Sequence, residues 1–284
     1  MRPVGRYGGR GVVRVHEIIA RMDLGLTGRA CVVTGASRGI GLATARMLTS
    51  EGASVLLVAR SGRALEAAEV ETAGPGRAAS SLVVDVTEPD AADRIFAACE
   101  ERFGRVDALV NNAGTTEAKP LDELTDEDWQ AQWELHVMAS MRLMRAAGAR
   151  MGEDARIVNI CSSSGKRPSL TNAAYSVTKA AQLSLSRTFA DAYAGKGILV
   201  NAVTPGPVAT GLWMDEGGLA DQVAEAKGIT REEALEAQQG KIPLGRFGTE
   251  DEIAAVVTFL CSARASNVTG AAWSVDGGTV PVIL

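Results

Sequence analysis

The chain has 284 residues, of which 46% are hydrophobic and 22% charged, and this ordinary globular composition excludes a disordered, collagenous or coiled-coil protein. The net charge of -5 disfavours a nucleic-acid-binding protein, because the field that would hold a polyanion is missing. No apolar run approaches the roughly 20 residues of a membrane-spanning helix, and the N-terminus lacks a secretory signal pattern. We therefore expect a cytoplasmic protein with no nucleic-acid or membrane partner.

The N-terminal segment, residues 1–22, differs from the rest because it carries five arginines and one acidic residue. Three interpretations remain open: a disordered basic arm, an upstream start codon with Met22 as the working start, and an organelle-targeting peptide. The Gly-Gly-Arg-Gly stretch favours the first two, since it offers little amphipathic helix. We expect the folded domain to comprise residues 23–284.

From residue 29 onward, short β-branched runs alternate with segments whose apolar residues recur every three or four positions. The runs predict strands at residues 30–34, 54–59, 82–84, 108–110, 156–160, 198–203 and 271–275. The periodic segments predict helices at residues 40–48, 91–103, 129–151 and 253–260. Strands that are each reached through a helix run parallel and are covered on both faces. The prediction is an α/β fold, a single doubly wound Rossmann-type domain with a seven-stranded parallel sheet.

One long excursion, residues 206–248, interrupts this alternation and contains a helix-like stretch at 219–239. Excursions of this length beyond the carboxyl end of a strand are usually lids over a site. We therefore expect a helical substrate lid.

Metal and disulfide chemistry is disfavoured by the few histidines and the wide spacing of the cysteines. With two histidines, His16 and His136, a His-rich centre cannot be built. The cysteines show neither zinc-site pairing nor the density of a disulfide scaffold, and we expect them to be reduced. They are Cys31, Cys99, Cys161 and Cys261.

A glycine-rich turn follows the first strand and opens the first helix, from Thr34 to Gly41. Its glycines allow a tight turn and a close approach of backbone N–H groups to a pyrophosphate, and the helix N-terminus supplies partial positive charge. Taken alone, the pattern also fits a plain strand-to-helix turn.

The pattern T-G-x-x-x-G-I-G resembles that of the classical short-chain dehydrogenases/reductases, and further family landmarks follow in order over residues 24–284. The landmarks are Asp85-Val86, Asn111-Asn112-Ala113-Gly114, Ser162, the Y-x-x-x-K pair Tyr175 and Lys179, residues 201–206, residues 242–247 and residues 275–278. The resemblance implies a nicotinamide-dependent oxidoreductase. It also implies a homotetramer, because members of this family are usually tetrameric. The candidate packing surfaces are the helices at 129–151 and 175–193 and the apolar tail at 280–284.

Three of these residues can carry acid–base chemistry. Tyr175 and Lys179 are four residues apart and share one helix face. A nearby lysine cation favours the ionised phenol, so we expect Lys179 to lower the pKa of Tyr175 and make it a general acid or base. Ser162 can hydrogen-bond the substrate oxygen. The structural alternative is a core tyrosine, a solvated lysine and a polar serine turn.

The resemblance also assigns a cofactor-binding set that runs along the carboxyl ends of the strands. It comprises Gly35, Ser37, Arg38, Gly39, Ile40, Gly41, Arg60, Asp85, Val86, Asn112, Ala113, Gly114, Tyr175, Lys179, Pro205, Gly206, Val208 and Thr210. Asp85 has a second interpretation as a helix N-cap, although Thr87, with Asp90 three residues on, fits that role better.

Two arginines indicate the choice of cofactor. No acidic residue ends the second strand, where Arg60 stands instead, and Arg38 lies in the glycine turn. Guanidinium groups match a ribose 2'-phosphate, so NADP(H) is expected, the alternative being solvated arginines on helix ends.

The predicted function is an NADP(H)-dependent oxidoreductase that acts on a small-molecule ketone or secondary alcohol. A 3-oxoacyl-thioester reductase remains open, although the acidic stretch at 151–154 disfavours an acyl-carrier partner. A non-catalytic nicotinamide-binding regulator is the alternative from another class. The apolar segment 212–214 favours a lipophilic or ring-containing ketone, unless it packs against the lid or a neighbouring subunit.

One departure from the family pattern concerns His136. Family members carry an asparagine seven residues after a helix tryptophan, which is understood to hold a water that links the lysine to solvent; counting from Trp129 gives His136. Near Lys179 the charged imidazole is disfavoured. We hypothesise that neutral His136 relays protons from Lys179, and the alternative is a histidine satisfied within the helix packing.

Overall fold

The structure, a computed structural model, describes residues 22–74, 76, 78–169 and 171–281. The predicted basic arm lies outside the described residues except for Met22, as do the last three residues of the predicted apolar tail. All four cysteines are free and buried.

The described residues form one seven-stranded parallel sheet in the order β3-β2-β1-β4-β5-β6-β7, which confirms the predicted fold. The strands are β1 (Ala30–Thr34), β2 (Ser54–Ala59), β3 (Ala79–Val83), β4 (Ala108–Asn111), β5 (Arg156–Ile160), β6 (Leu199–Pro205) and β7 (Ala272–Val275). The predicted bounds are matched at β1, β2 and β5. The edge strand β3 begins three residues earlier than predicted, because its Ala-Ser-Ser start is only partly buried and carries no apolar signal.

Helices cover both faces of the sheet. They are α1 (Gly39–Ser50), α2 (Gly62–Thr72), α3 (Ala91–Phe103), α4 (Asp126–Trp133), α5 (Ala139–Arg150), α6 (Ala173–Tyr193), α7 (Gly211–Met214), α8 (Leu219–Lys227), α9 (Arg231–Gln239) and α10 (Glu250–Cys261). Helices α3, α5 and α6 pack on one core, and α1, α2 and α10 pack on the other. Alternate strand residues serve the two cores, so Val32 faces one and Val33 the other. No helix within the described ranges is both long and apolar enough to cross a membrane.

The strand order fixes where a ligand can bind. After β3, at one edge of the sheet, the chain returns to form β4 on the far side of β1. The loops after β1 and β4 therefore leave in different directions and open a crevice at the carboxyl ends of the strands. The glycine turn after β1, Asn112 after β4 and Ser162 after β5 all lie at this edge.

The helix predicted at 129–151 is interrupted. Helix α4 begins three residues earlier, at a capping box between Thr125 and Asp128, and a π-helical turn (Glu134–Met138) joins it to α5. A π turn holds an additional residue within a continuous helix, so apolar periodicity alone does not indicate it. His136 lies in this turn with its side chain buried.

The single helix predicted at 219–239 is wrong. Gly228 adopts a left-handed conformation with φ of +64° and ends α8. A second capping box, between Thr230 and Glu233, then begins α9. Helices α7, α8 and α9 thus form a series of short helices after β6, and the role of this segment as a lid stays a prediction.

Gly228→Ala tests the break between α8 and α9. We expect the free energy of unfolding to fall by about 1–2 kcal/mol, because an L-residue is strained in the left-handed region. A Cβ at this position meets no atom within 4 Å, so the cost is conformational alone. Gly240→Ala is the matched control, since Gly240 ends α9 with a right-handed φ of -62°. Equal losses in the two variants, measured by denaturant unfolding, would contradict the break.

Candidate active site

A cavity of about 1310 Å³ opens at the carboxyl ends of the strands. Of the residues predicted for catalysis and cofactor binding, all line it except Gly41 and His136. Gly41 packs under the glycine turn and His136 lies behind Gly114. The loop after β5, the face of α6 and the segment 206–248 complete the wall. The sheet therefore brings residues from distant parts of the sequence to one space.

The glycine turn has the shape that a dinucleotide diphosphate needs. Gly35 and Gly39 have φ of +64° and +62°, in the left-handed region. A Cβ on Gly41 would lie 2.3 Å from the Gly35 carbonyl oxygen, so only glycine allows the helix to pack this closely. Helix α1 begins at Gly39 with no side-chain cap and no acidic residue in its first turn. Its free N–H groups and positive end thus fit an anion.

Asn112 holds this turn to the end of β4. Its Nδ2 donates to the carbonyl oxygens of Thr34, at 2.9 Å, and Gly35, at 3.1 Å. The Thr34 hydroxyl oxygen in turn accepts the backbone N–H groups of Asn112 and Ala113. The Asn112 amide therefore positions the glycine turn, and the hydroxyl of Thr34, whose role the sequence did not indicate, connects the two loops.

Asp85 forms a local turn rather than a helix cap. Its Oδ1 accepts the backbone N–H and the hydroxyl of Thr87, at 2.9 and 2.7 Å. Partial burial raises the pKa of Asp85, but the Thr87 hydrogen bonds and the Arg60 charge outweigh it and lower the pKa. The assignment of Thr87 as the N-cap is wrong, because α3 begins at Ala91 and Asp90 precedes it.

The two arginines that were predicted to select NADP(H) over NAD(H) both line the cavity. Both are also exposed. The Arg60 guanidinium lies 3.6 Å from Asp85, and the Arg38 guanidinium lies 2.9 Å from Asp215 in the segment after α7. Their side chains are 74% and 75% exposed. Exposed ion pairs of this kind contribute little to stability, so both guanidinium groups can exchange a carboxylate for a phosphate.

Tyr175 and Lys179 share one face of α6, and the Lys179 ammonium lies 5.5 Å from the centre of the phenol ring. Burial raises the pKa of Tyr175 to about 12, while hydrogen bonding by Ser162 acts in the opposite direction. Burial also lowers the pKa of Lys179 to about 8. The expected lowering of the tyrosine pKa is therefore not met in this structure, because burial dominates. Ser162 accepts the Ser164 N–H at 3.0 Å.

The ammonium group of Lys179 has two acceptors that the sequence analysis did not identify. It donates to the Ile160 carbonyl oxygen at 2.8 Å and to Oε1 of Gln182 at 2.9 Å. Gln182 lies three residues after Lys179 on the same helix face, and this spacing was the available signal.

His136 is fully buried, and its ring meets the Tyr175 ring edge to face at 5.2 Å. Burial and the charge of Lys179 hold the pKa of His136 well below its usual range, so the imidazole is neutral, as hypothesised. Its Nδ1 lies 3.1 Å from the Thr178 hydroxyl, which donates to the Tyr175 carbonyl oxygen. We therefore assign the proton to Nδ1, because the Thr178 oxygen can only accept. Nε2 is left as an acceptor without a partner among the described residues.

The apolar segment 212–214 divides between the two predicted roles. Leu212 and Trp213 line the cavity, whereas Met214 does not. The Trp213 ring also packs against the Phe247 ring at 5.4 Å. Trp213 is thus both a wall of the cavity and part of the packing of the segment.

Comparison with known proteins agrees with this geometry. A family model described as enoyl-(acyl carrier protein) reductase matches residues 35–280. A putative ketoacyl reductase of the monensin polyketide synthase from Streptomyces virginiae is 36% identical over 256 residues, which is 89% of this chain and 97% of that protein. The chain belongs to the classical short-chain dehydrogenase/reductase family. This confirms the resemblance predicted from the sequence.

Solved structures of this family superpose closely on the chain. L-sorbose reductase from Gluconobacter frateurii, complexed with NADPH and L-sorbose, gives a TM-score of 0.84 at 35% identity, covering 92% of this chain and 100% of that one. A Serratia marcescens short-chain dehydrogenase/reductase gives a TM-score of 0.80 at 31% identity, covering 90% and 99%.

Proposed function

We propose that this short-chain dehydrogenase/reductase is an NADP(H)-dependent oxidoreductase of ketones and secondary alcohols, with Tyr175 as general acid and base. The observation that carries the proposal is a single cavity lined by the glycine turn and by Tyr175, Lys179 and Ser162. The helix that follows this turn, α1, has no side-chain cap at its N-terminus. The NADPH complex of the Gluconobacter frateurii relative supports the choice of cofactor.

The chain's own residues fit NADP(H) along this cavity. The N–H groups of the glycine turn would hold the diphosphate, and Arg38 and Arg60 would hold the 2'-phosphate. The nicotinamide ring supplies or accepts the hydride when it is bound. One N–H of Lys179 remains available toward the cavity, because its other two already have protein acceptors.

Ser162 and Tyr175 both act on the substrate oxygen, one by hydrogen bonding and the other by proton transfer. The Ser162 hydroxyl hydrogen-bonds that oxygen and fixes the carbonyl carbon in the cavity. In reduction, the Tyr175 hydroxyl donates its proton to the oxygen as negative charge develops there. With a pKa raised to about 12 by burial, the phenol is protonated at neutral pH and has a proton to donate.

Three unpaired cations favour a 3-oxoacyl thioester as a second candidate substrate. Arg167, Lys227 and Lys241 line the cavity, and none forms an ion pair with another described residue. Carriers of acyl thioesters bear phosphates, which such cations attract. The Streptomyces virginiae relative supports this candidate, and the L-sorbose reductase supports a polyol or sugar ketone. Faster turnover of a 3-oxoacyl thioester than of the matching 3-oxo ester would favour the 3-oxoacyl thioester as the substrate.

Tyr175→Phe tests the assignment of the proton donor. The substitution removes the transferable proton and leaves the ring, so we expect NADPH binding to persist and kcat to fall below a few per cent of the wild-type value. Lys179→Ala should lower both turnover and cofactor affinity. Steady-state kinetics and NADPH fluorescence measure the two effects. A Tyr175→Phe enzyme that keeps more than a few per cent of kcat would have its general acid elsewhere.

The two arginines predict a preference for NADPH over NADH of about 10 to 1000-fold in kcat/KM, equivalent to roughly 1 to 4 kcal/mol. Arg60→Ala should reduce this preference by raising KM for NADPH alone. Arg63→Ala is the control, because Arg63 is exposed on α2 but does not line the cavity. Equal kcat/KM values for NADPH and NADH in the wild-type enzyme would contradict the assignment of the two arginines to the 2'-phosphate.

His136 is proposed to relay protons from Lys179. A Cβ built on Gly114 would lie 3.1 Å from Nε2 of His136 and 3.7 Å from Nζ of Lys179, so both nitrogens border the same space. A water there would accept from the lysine and donate to Nε2.

His136→Ala should lower kcat by roughly 10 to 100-fold, whereas His136→Asn should retain most activity. Protonation of Nε2 would remove the acceptor that the relay needs. Because burial lowers the pKa of His136, this protonation occurs only at acid pH. Wild-type turnover should therefore lose activity as the pH falls through that pKa, and His136→Asn should lack this ionisation. Identical pH–rate profiles for wild type and both variants would make His136 a packing residue.

A further inference from the structure

A buried amide lies between the lysine of the site and the neighbouring helix. Gln182 on α6 is 1% exposed, and its Oε1 accepts the Lys179 ammonium at 2.9 Å. Its Nε2 donates to the hydroxyl oxygen of Ser140 on α5, also at 2.9 Å. Ser140 is 5% exposed. The three side chains therefore form a buried hydrogen-bonded chain, Lys179–Gln182–Ser140, of which only the lysine end borders the cavity.

The polarity of this chain is fixed by its chemistry. An ammonium group only donates, so the amide oxygen has to face Lys179 and the NH₂ group has to face Ser140. With Ile160 as the second acceptor, the ammonium cannot rotate freely, and its third N–H is the one left for the cavity. Gln182 thereby sets the direction in which Lys179 donates.

The amide also affects the charge of Lys179. The titratable groups around the ammonium are Tyr175 on the same helix, His136 on the π turn and Cys161 at the end of β5. Burial raises the pKa values of Tyr175 and Cys161 to about 12, and His136 is neutral, so none supplies a negative charge near pH 8. Two neutral oxygens, from Ile160 and Gln182, remain to stabilise the cation.

We propose that Gln182, tethered by Ser140, is a positioning residue that orients the ammonium group of Lys179 and keeps it charged for its work in the site. The inference rests on the proposed function, because that function defines what the charged Lys179 does in the site. The hydrogen bond between Lys179 and Gln182 does not depend on that function. Because the Ile160 acceptor is backbone, Gln182 is the acceptor that substitution can remove.

The direct test is an NMR titration of the lysine side chains, labelled with ¹³C at Cε, in the protein without cofactor; Lys179→Arg assigns the Lys179 signal. In the wild type we expect a pKa of about 8. Gln182→Met keeps the length and removes the acceptor, so the proton affinity of Lys179 should fall about tenfold. Gln182→Glu keeps an acceptor and adds a negative charge, so the affinity should rise.

Kinetics supply the second readout. Activity that needs charged Lys179 is lost as the pH rises through its pKa, so the alkaline limb of the kcat/KM profile should move to lower pH in Gln182→Met and to higher pH in Gln182→Glu. Ser140→Ala removes only the tether and should move the limb in the same direction as Gln182→Met, by a smaller amount. This milder variant also serves if Gln182→Met does not fold.

Ser186→Ala is the matched control. Ser186 lies one turn beyond Gln182 on α6, is buried, and accepts a hydrogen bond from Asn159 at 3.0 Å without touching Lys179. Its loss should lower the melting temperature and leave both the Lys179 titration and the alkaline limb unchanged. Unchanged lysine titration in Gln182→Met and Ser140→Ala, or an equal change in Ser186→Ala, would overturn the proposal. Absence of turnover in the wild type would instead count against the proposed function, because the titration does not depend on it.

Discussion

The ammonium group of Lys179 lies in a residue that is 3% exposed, and burying a cation costs free energy unless acceptors surround it. The fold meets this need with one backbone oxygen and one side-chain oxygen, from Ile160 and Gln182. Both acceptors are neutral, so the charge is maintained without being cancelled by a carboxylate. A charge kept in this way can still act on the phenol and on a bound ligand in the cavity.

The parallel sheet is what makes this arrangement possible. Ile160 is the last residue of β5, and its carbonyl oxygen accepts the ammonium group of Lys179 on α6. Below it, a buried amide ladder joins the sheet to the same helix: Asn111 donates to Asn159 at 2.8 Å, and Asn159 donates to Ser186 at 3.0 Å. These hydrogen bonds are directional, so they constrain the rotation of α6 about its axis. Tyr175 and Lys179 consequently face the cavity together.

Much of this arrangement is readable in the sequence, because it depends on local signals. The β-branched runs gave the bounds of β1, β2 and β5, since these parallel strands are buried on both faces and mostly apolar. The four-residue spacing of Tyr175 and Lys179 predicted a shared helix face. The glycine turn was found because only glycine fits its conformation and its close packing.

Other features depend on contacts that no local pattern carries. The π turn at His136 leaves the apolar periodicity nearly intact, and so it was missed. The break at Gly228 was missed because a glycine inside a helical pattern is usually tolerated. Gln182 and Ser140 are 42 residues apart, and nothing in either neighbourhood indicates that their side chains meet. The raised pKa of Tyr175 likewise reflects burial, which spacing alone cannot give.

The central claim is that this cavity carries out hydride transfer to a carbonyl carbon. The most direct measurement uses NADPH deuterated at the transferring position of its nicotinamide ring, incubated with the wild-type protein and a panel of ketones, 3-oxoacyl thioesters and sugars. Mass spectrometry of the products then locates the label. We predict an alcohol that carries deuterium on the former carbonyl carbon with at least one substrate class. Bound NADPH and no labelled alcohol across the whole panel would contradict hydride transfer in this cavity.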